Sequence, residues 1–248
     1  MRIIEVKDYK AMSKKAAETI LEKVRTNPAI ILGLATGNTP AGTYANLIED
    51  HKTNQISYKQ VTTFNLDEYI GLAGDNPNSY RYFMNDILFN HLDVEMSGTH
   101  IPRGDTKGIQ EECQLYEQLI ENYGGIDLQI LGLGSNGHIG FNEPGTPFDS
   151  KTHIVNLTDS TRKANASFFD KQENVPFQAI TMGIATIMRS KEILLLISGD
   201  KKKEAVDRLL HGDIDESFPA SVLKRHPDVT IIADEAALAK ARRSSHDQ

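Results

Sequence analysis

Five short runs rich in isoleucine, valine and leucine recur along the chain, at Ala29–Leu34, Val61–Leu66, Asp127–Leu133, Glu192–Ser198 and Val229–Ala233. Runs this short and this continuously apolar fit strands covered on both faces, as in a buried parallel sheet. Between them, apolar residues fall at helical spacing. Asp8 to Thr26 keeps that spacing and stops at Asn27-Pro28, and Pro40–Asp50, Ser79–Leu92, Gly108–Tyr123, Lys201–Leu210 and Glu235–Arg243 repeat it. The alternation predicts an α/β fold with a doubly wound, mainly parallel sheet and helices on both faces. At 248 residues the expected organisation is one catalytic domain spanning 1–248, since no repeat, low-complexity tract or long linker divides the chain. One segment breaks the rhythm. Asn156–Val175 is polar, rich in Ser, Thr, Asn and Asp, and has no strand of its own, which makes it a candidate lid.

A net charge of -7 with mixed signs leaves no basic face for nucleic acid or anionic lipid, so an anionic ligand must be met by a local cluster of positive groups. The expected partner is a small molecule. Cys113 is the only cysteine, which excludes an intrachain disulfide and a cysteine-based zinc site and fits a reducing compartment. Met1-Arg-Ile-Ile-Glu-Val-Lys-Asp8 is too charged for a signal peptide, and no apolar run is long enough to span a bilayer. A cytoplasmic location is expected.

The richest stretch for chemistry is Ile130-Leu-Gly-Leu-Gly-Ser-Asn-Gly-His-Ile-Gly-Phe-Asn-Glu-Pro144, an apolar run that ends in a glycine loop presenting His138 and Glu143. Gly132, Gly134 and Gly137 satisfy the G-x-G-x-x-G dinucleotide fingerprint. The helix that should follow is disfavoured, because Gly140, Pro144 and Gly145 would interrupt it. The other reading is a catalytic loop. Its glycines let the backbone approach a small ligand on which an imidazole and a carboxylate converge. A serine hydrolase fits poorly, since Ser135 lacks the glycine two residues earlier that G-x-S-x-G requires.

Ligands of open parallel sheets bind beyond the carboxyl ends of the strands, and the residues there are unusually polar. After the first run comes Ala35-Thr-Gly-Asn-Thr-Pro40, with Thr39 suited to an N-cap, Pro40 to the first helical turn and Gly37 to a tight turn. Free N–H groups, the helix dipole and the hydroxyls of Thr36 and Thr39 could cradle a phosphate; the same pattern also fits an ordinary capped helix. After the fourth run, Ser198-Gly-Asp-Lys-Lys-Lys203 puts cations at a helix start, where they oppose the dipole. Lys201 there could counter a phosphate and Arg162 could close over it with a bidentate contact, although for the lysines alone a solvated basic surface is the simpler reading. After the second run, Asp67 and Glu68 are neighbours in extended chain and point oppositely. One could face a ligand as general base while the other orients its surroundings, or both could simply cap the loop. Asp67, Glu68, His138 and Glu143 could also bind a metal, but no metal-ligand spacing backs that reading.

These segments resemble the glucosamine-6-phosphate deaminases, along nearly the whole chain. Leu32-Gly-Leu-Ala-Thr-Gly-Asn-Thr-Pro40 is similar to that family's phosphate and sugar loop, Thr63-Phe-Asn-Leu-Asp-Glu-Tyr69 to its base motif, and Gly134-Ser-Asn-Gly-His-Ile-Gly-Phe-Asn-Glu-Pro144 to its ring-opening loop. Ser160-Thr-Arg-Lys-Ala-Asn165 is similar to its lid. The related 6-phosphogluconolactonases share the first loop and a Gly-His turn, while Phe141-Asn-Glu-Pro144 and Asn65-Leu-Asp-Glu-Tyr69 are features of the deaminases. The resemblance implies a Rossmann-like sheet of the sugar-phosphate isomerase type, and conversion of glucosamine 6-phosphate and water to fructose 6-phosphate and ammonia in amino-sugar catabolism. It implies no cofactor, since no redox change occurs. His138, oriented by Glu143, would open the pyranose, and Asp67 would move a proton from C2 to C1. Thr36, Gly37, Asn38, Thr39, Glu68, Arg162 and Lys201 would contact the sugar and its phosphate.

Two departures stand out. Many members of that family carry an aspartate where this chain has Asn136, whose neutral amide can hydrogen-bond the histidine but cannot stabilise an imidazolium by charge. Members activated by N-acetylglucosamine 6-phosphate use basic residues where His153 and Val155 stand here, together with an extended C-terminal segment where this chain ends at Gln248. Weak or absent activation, and a monomer or small homo-oligomer, are therefore expected. An enzyme for another hexosamine 6-phosphate, and a non-catalytic sugar-phosphate sensor, are the alternatives.

Overall fold

The computed structural model describes residues 1–166, 169 and 175–244. In chain order the strands are β1 (Arg2–Val6), β2 (Ile31–Leu34), β3 (Thr62–Asn65), β4 (Asp67–Tyr69), β5 (Thr99–His100), β6 (Leu128–Gly132), β7 (His153–Asn156), β8 (Gln178–Thr181), β9 (Glu192–Ile197) and β10 (Val229–Asp234). The α-helices are α1 (Tyr9–Thr26), α2 (Asn38–Asn54), α3 (Tyr80–Ile87), α4 (Ile109–Asn122), α5 (Asp159–Asn165), α6 (Ile184–Met188), α7 (Lys203–His211) and α8 (Glu235–Ser244). Each of the five apolar runs supplies one strand of a seven-stranded sheet, ordered β1-β10-β9-β6-β2-β3-β5 and parallel at every pairing.

Both faces of this sheet are covered, and β9 shows how. Ile193, Leu195 and Ile197 pack into a core shared with α4, α7 and α8, while Leu194 and Leu196 enter the opposite core with α1 and α2. Alternating directions along a strand that is apolar throughout leave no face for water. Burying each such side chain contributes about 1.5–3 kcal/mol. The helices match this demand. In α1, Met12, Ala16, Ile20 and Val24 are buried one turn apart, Asp8 caps the start by accepting the Ala11 N–H at 2.9 Å, and Asn27 ends the helix before Pro28.

A second sheet, β4-β8-β7, is antiparallel, with Asp67 opposite Thr181 and His153 also opposite Thr181. No apolar run marks these short strands. Their outer side rests on a satellite cluster of Tyr69, Phe141, Leu157, Val175 and Ala179. The expected lid begins where β7 ends: Thr158 caps α5 by accepting the N–H of Thr161, and residues 167–168 and 170–174 of that segment lie outside the described residues.

Candidate active site

From β2 the chain builds outward through β3 to β5, then crosses back to lay β6 on the other side of β2 and continues to β9 and β10. That reversal between β2 and β6 opens a crevice at the carboxyl ends of the strands. A cavity of about 540 Å³ occupies it, walled by the loops that follow β2, β3 and β6 and by Lys202 after β9.

The first wall is the start of α2. The helix begins at Asn38 with Gly37 as its N-cap, two residues earlier than a Thr39 cap would place it, and no side chain caps it. Gly37 has φ 92°, a backbone state that other residues rarely adopt, and the residues of this turn from Thr36 to Pro40 line the cavity. A helix start offers backbone N–H donors and a positive dipole end, which suit an anion.

The second wall is the glycine loop after β6. His138 Nδ1 donates to Asn136 Oδ1 at 2.7 Å, and Asn136 Nδ2 donates to Glu143 Oε2 at 2.7 Å. The carboxylate itself stands 3.8 Å from the imidazole, so the contact expected between His138 and Glu143 runs through the amide. This order fixes the tautomer. A carboxylate only accepts, which turns the amide NH₂ toward Glu143 and leaves Oδ1 to accept the Nδ1 proton; neutral His138 then carries a bare Nε2. Burial holds the His138 pKa below its usual value, with Lys202 adding to the depression and Glu143 opposing it. Gly134 is required by space: a Cβ there would lie 2.3 Å from His138 Nδ1, inside the ring's own volume.

The third wall carries Asp67, which is 6% exposed. Burial, with the charge of Glu68 as a smaller cause, pushes its pKa up to about 8. Its neighbour points elsewhere. Glu68 accepts backbone N–H groups from Tyr69, Tyr80 and Arg81 at 2.8–2.9 Å, clamping the start of α3 against β4, and burial outweighs those bonds to put its pKa at about 7. Among the described residues no group of three or more His, Cys, Asp or Glu side chains is arranged to hold a metal ion.

A buried carboxyl, an imidazole with a fixed tautomer and a helix start around one crevice invite comparison with known sugar-phosphate enzymes. The sequence model describing glucosamine-6-phosphate isomerases and 6-phosphogluconolactonase matches residues 7–232. The chain belongs to this family. Among curated relatives, it is 58% identical to a glucosamine-6-phosphate deaminase of Halalkalibacterium halodurans, over 99% of this chain and 100% of that one. It is 51% identical to glucosamine-6-phosphate deaminase 1 of Bacillus subtilis, over 96% and 98%. The solved structure of a monomeric glucosamine-6-phosphate deaminase, 50% identical, superposes with a TM-score of 0.95 over 97% of this chain and all of that one. A 6-phosphogluconolactonase from Trypanosoma brucei, 18% identical, shares the fold with a TM-score of 0.78 over 96% and 97%.

Within this glucosamine-6-phosphate isomerase fold the structure gathers Thr36, Gly37, Asn38, Thr39, Asp67, Asn136 and His138 on the cavity wall, with Glu143 buried behind Asn136. Three residues expected to touch ligand are elsewhere. Glu68 serves backbone N–H groups, as above. Arg162 is buried, donates to the Val175 carbonyl at 2.9 and 3.2 Å and lies 3.9 Å over the ring of Phe177. Lys201 is exposed, because a 3₁₀ turn at Asp200–Lys202 precedes α7 and directs Lys202 to the cavity in its place. Lys202 is half-buried, which depresses its pKa. Sequence reading could not separate three consecutive lysines without the phase of that turn. It also passed over Tyr80, which lines the cavity, and gave no role to Phe141, which lines it too, or to Thr161, whose hydroxyl donates to Glu143 Oε1. For Thr161 the only signal was its place in the Ser160–Asn165 motif.

Proposed function

We propose that this chain is a glucosamine-6-phosphate deaminase, converting glucosamine 6-phosphate and water to fructose 6-phosphate and ammonia. The observation that carries the reading is the convergence of Asp67 and the His138–Asn136–Glu143 chain on one cavity that the start of α2 also lines. Its full-length likeness to deaminases at 50–58% identity points the same way. The phosphate sits at the first N–H groups of α2 with Lys202 as counter-ion. His138 Nε2 takes the proton of the C1 hydroxyl and returns it to the ring oxygen, so that the pyranose opens. Asp67 then removes the C2 proton and delivers it to C1. With the C1 oxygen taking up one proton as the C2 ammonium gives one up, this leaves an imine at C2, which water hydrolyses to the ketone and ammonia. An uncharged Asp67 at rest suits an amino-sugar substrate: an arriving C2 ammonium favours the ionised carboxylate, which is the form that acts as base.

The working state we propose is a single-domain monomer or small homo-oligomer in the cytoplasm, with no cofactor. The monomeric 50%-identical deaminase favours the monomer, and among the described residues no helix is long and apolar enough to cross a membrane. Ammonia release from a panel of hexosamine 6-phosphates tests the activity. Glucosamine 6-phosphate should be the best substrate, with Asp67→Asn and His138→Gln each lowering kcat by about 10²-fold or more. Folded wild-type protein that releases no ammonia from glucosamine 6-phosphate would refute the assignment.

A further inference from the structure

The chain of hydrogen bonds behind His138 does not stop at Glu143. Thr161, on the first turn of α5, is buried and lines the cavity, and its hydroxyl donates to Glu143 Oε1. It accepts in turn from the hydroxyl of Thr158, the α5 N-cap, at 3.0 Å, while Thr158 Oγ1 accepts the Thr161 N–H at 3.2 Å. A directed series therefore runs from the start of α5 through Glu143 and Asn136 to the imidazole. Thr158 O–H points to Thr161, Thr161 O–H to Glu143, the Asn136 amide to Glu143, and His138 Nδ1–H to Asn136.

We infer that Thr161 is a positioning residue for ring opening: its hydroxyl holds Glu143 in the rotamer that orients Asn136 and so keeps the proton of neutral His138 on Nδ1. The physical argument is one of geometry and count. Glu143 has two oxygens and two side-chain donors, one on each, so the carboxylate plane is fixed at both ends. Without the Thr161 hydroxyl, Glu143 Oε1 is buried with an unmet acceptor, and the carboxylate gains by rotating toward another donor. Asn136 Oδ1 is then held toward the ring only by the weaker hydrogen bond it accepts from the His138 backbone N–H at 3.3 Å, and an amide turned the other way stabilises the Nε2–H tautomer, which cannot take the C1 proton. Because Thr161 belongs to α5, the position of that helix governs the proton chemistry of a loop on another strand.

The inference rests on the deaminase reading for its consequence and on the hydrogen bonds alone for its cause, so the test has two arms. In the first, ¹⁵N spectra of the histidine rings, with His138 assigned through His138→Gln, report the tautomer without any turnover. Wild type should show Nδ1–H at His138, and Thr161→Val should shift the population toward Nε2–H, with Thr161→Ser restoring it. In the second, glucosamine 6-phosphate deuterated at C2 is compared with the ordinary substrate. Thr161→Val should lower kcat about 10-fold with KM within twofold, and should shrink the isotope effect on kcat, because ring opening then limits turnover before C2 is touched. Thr161→Ser should recover most of the rate. An unchanged His138 tautomer in a folded Thr161→Val protein would overturn the inference. So would a loss of kcat that leaves the isotope effect intact, or one that serine does not repair. Wild type that shows the Nδ1–H tautomer yet releases no ammonia would instead overturn the deaminase reading and leave the relay standing.

Discussion

The buried carboxyl of Asp67 is held at a cost in stability, and the sign of that cost follows from its pKa. Its folded pKa is about 8 against an ordinary carboxylate value of 3.8, so the folded protein holds a proton that the unfolded chain releases. A carboxyl whose folded pKa is raised contributes fully below its unfolded pKa, and that contribution fades as pH climbs through the folded value. The neutral amide of Asp67→Asn escapes this loss. The variant should therefore match wild type in stability near pH 4 and exceed it increasingly up to pH 8, by several kcal/mol at the upper end. Urea unfolding at a series of pH values measures the gap. A gap that stays constant with pH would mean the carboxyl is not held protonated by burial. The same variant is expected to be nearly inactive, the usual trade between a desolvated catalytic group and stability. Asn136 is the residue whose meaning the structure changes most. As a sequence letter it is a lost charge beside the histidine; in three dimensions it is the connector that lets a distant carboxylate set the tautomer.

At the scale of elements, helix phase decides which lysine reaches the cavity. The 3₁₀ turn Asp200–Lys202 advances each residue by about 120°, so consecutive lysines point in well-separated directions and one of them reaches the cavity. Lys202→Ala should raise KM for glucosamine 6-phosphate about 10-fold to 100-fold with a smaller effect on kcat, and Lys201→Ala should stay within about twofold of wild type. Steady-state kinetics of the two variants side by side checks this, and the reverse pattern would return the role to Lys201. The comparison also shows what a sequence can reveal. β2, β3, β6, β9 and β10 were legible because burial on both faces writes a continuous apolar run into each, and their flanking helices because one buried stripe repeats every turn. β4 and β8 were not, since Asp67-Glu-Tyr69 is a strand only by pairing with Gln178–Thr181, more than a hundred residues away. The motif residues of the site were legible for the opposite reason: glycines, an imidazole and carboxylates at strand ends have no use in a core.

For the whole molecule the open matter is whether the active site answers to a second one. Coupling of that kind needs a distinct effector site whose ligand binds two global states unequally. A phosphorylated effector needs fixed cations, and the positions expected to supply them hold His153 and Val155 on β7. Neither brings a guanidinium or an ammonium, and the His153 ring spends its Nδ1 on the Lys151 carbonyl at 2.8 Å. Yet β7 pairs with β8, which pairs with the strand that bears Asp67, so a ligand held there would have a direct path to the base. The connection is present and the charge is absent. Ammonia release should then follow a hyperbolic dependence on glucosamine 6-phosphate, with half-saturation moving less than twofold when N-acetylglucosamine 6-phosphate is added. Sedimentation at the same protein concentrations should give the mass of one chain, in keeping with the monomeric relative at 50% identity. Sigmoid kinetics that the effector straightens, or a concentration-dependent higher mass accompanying such kinetics, would show that cations from elsewhere in the chain or from a second copy complete the site. Replacing Val155 by arginine provides the converse test: because the path to Asp67 through β8 already exists, a single added cation should yield measurable binding of the effector before it yields any cooperativity.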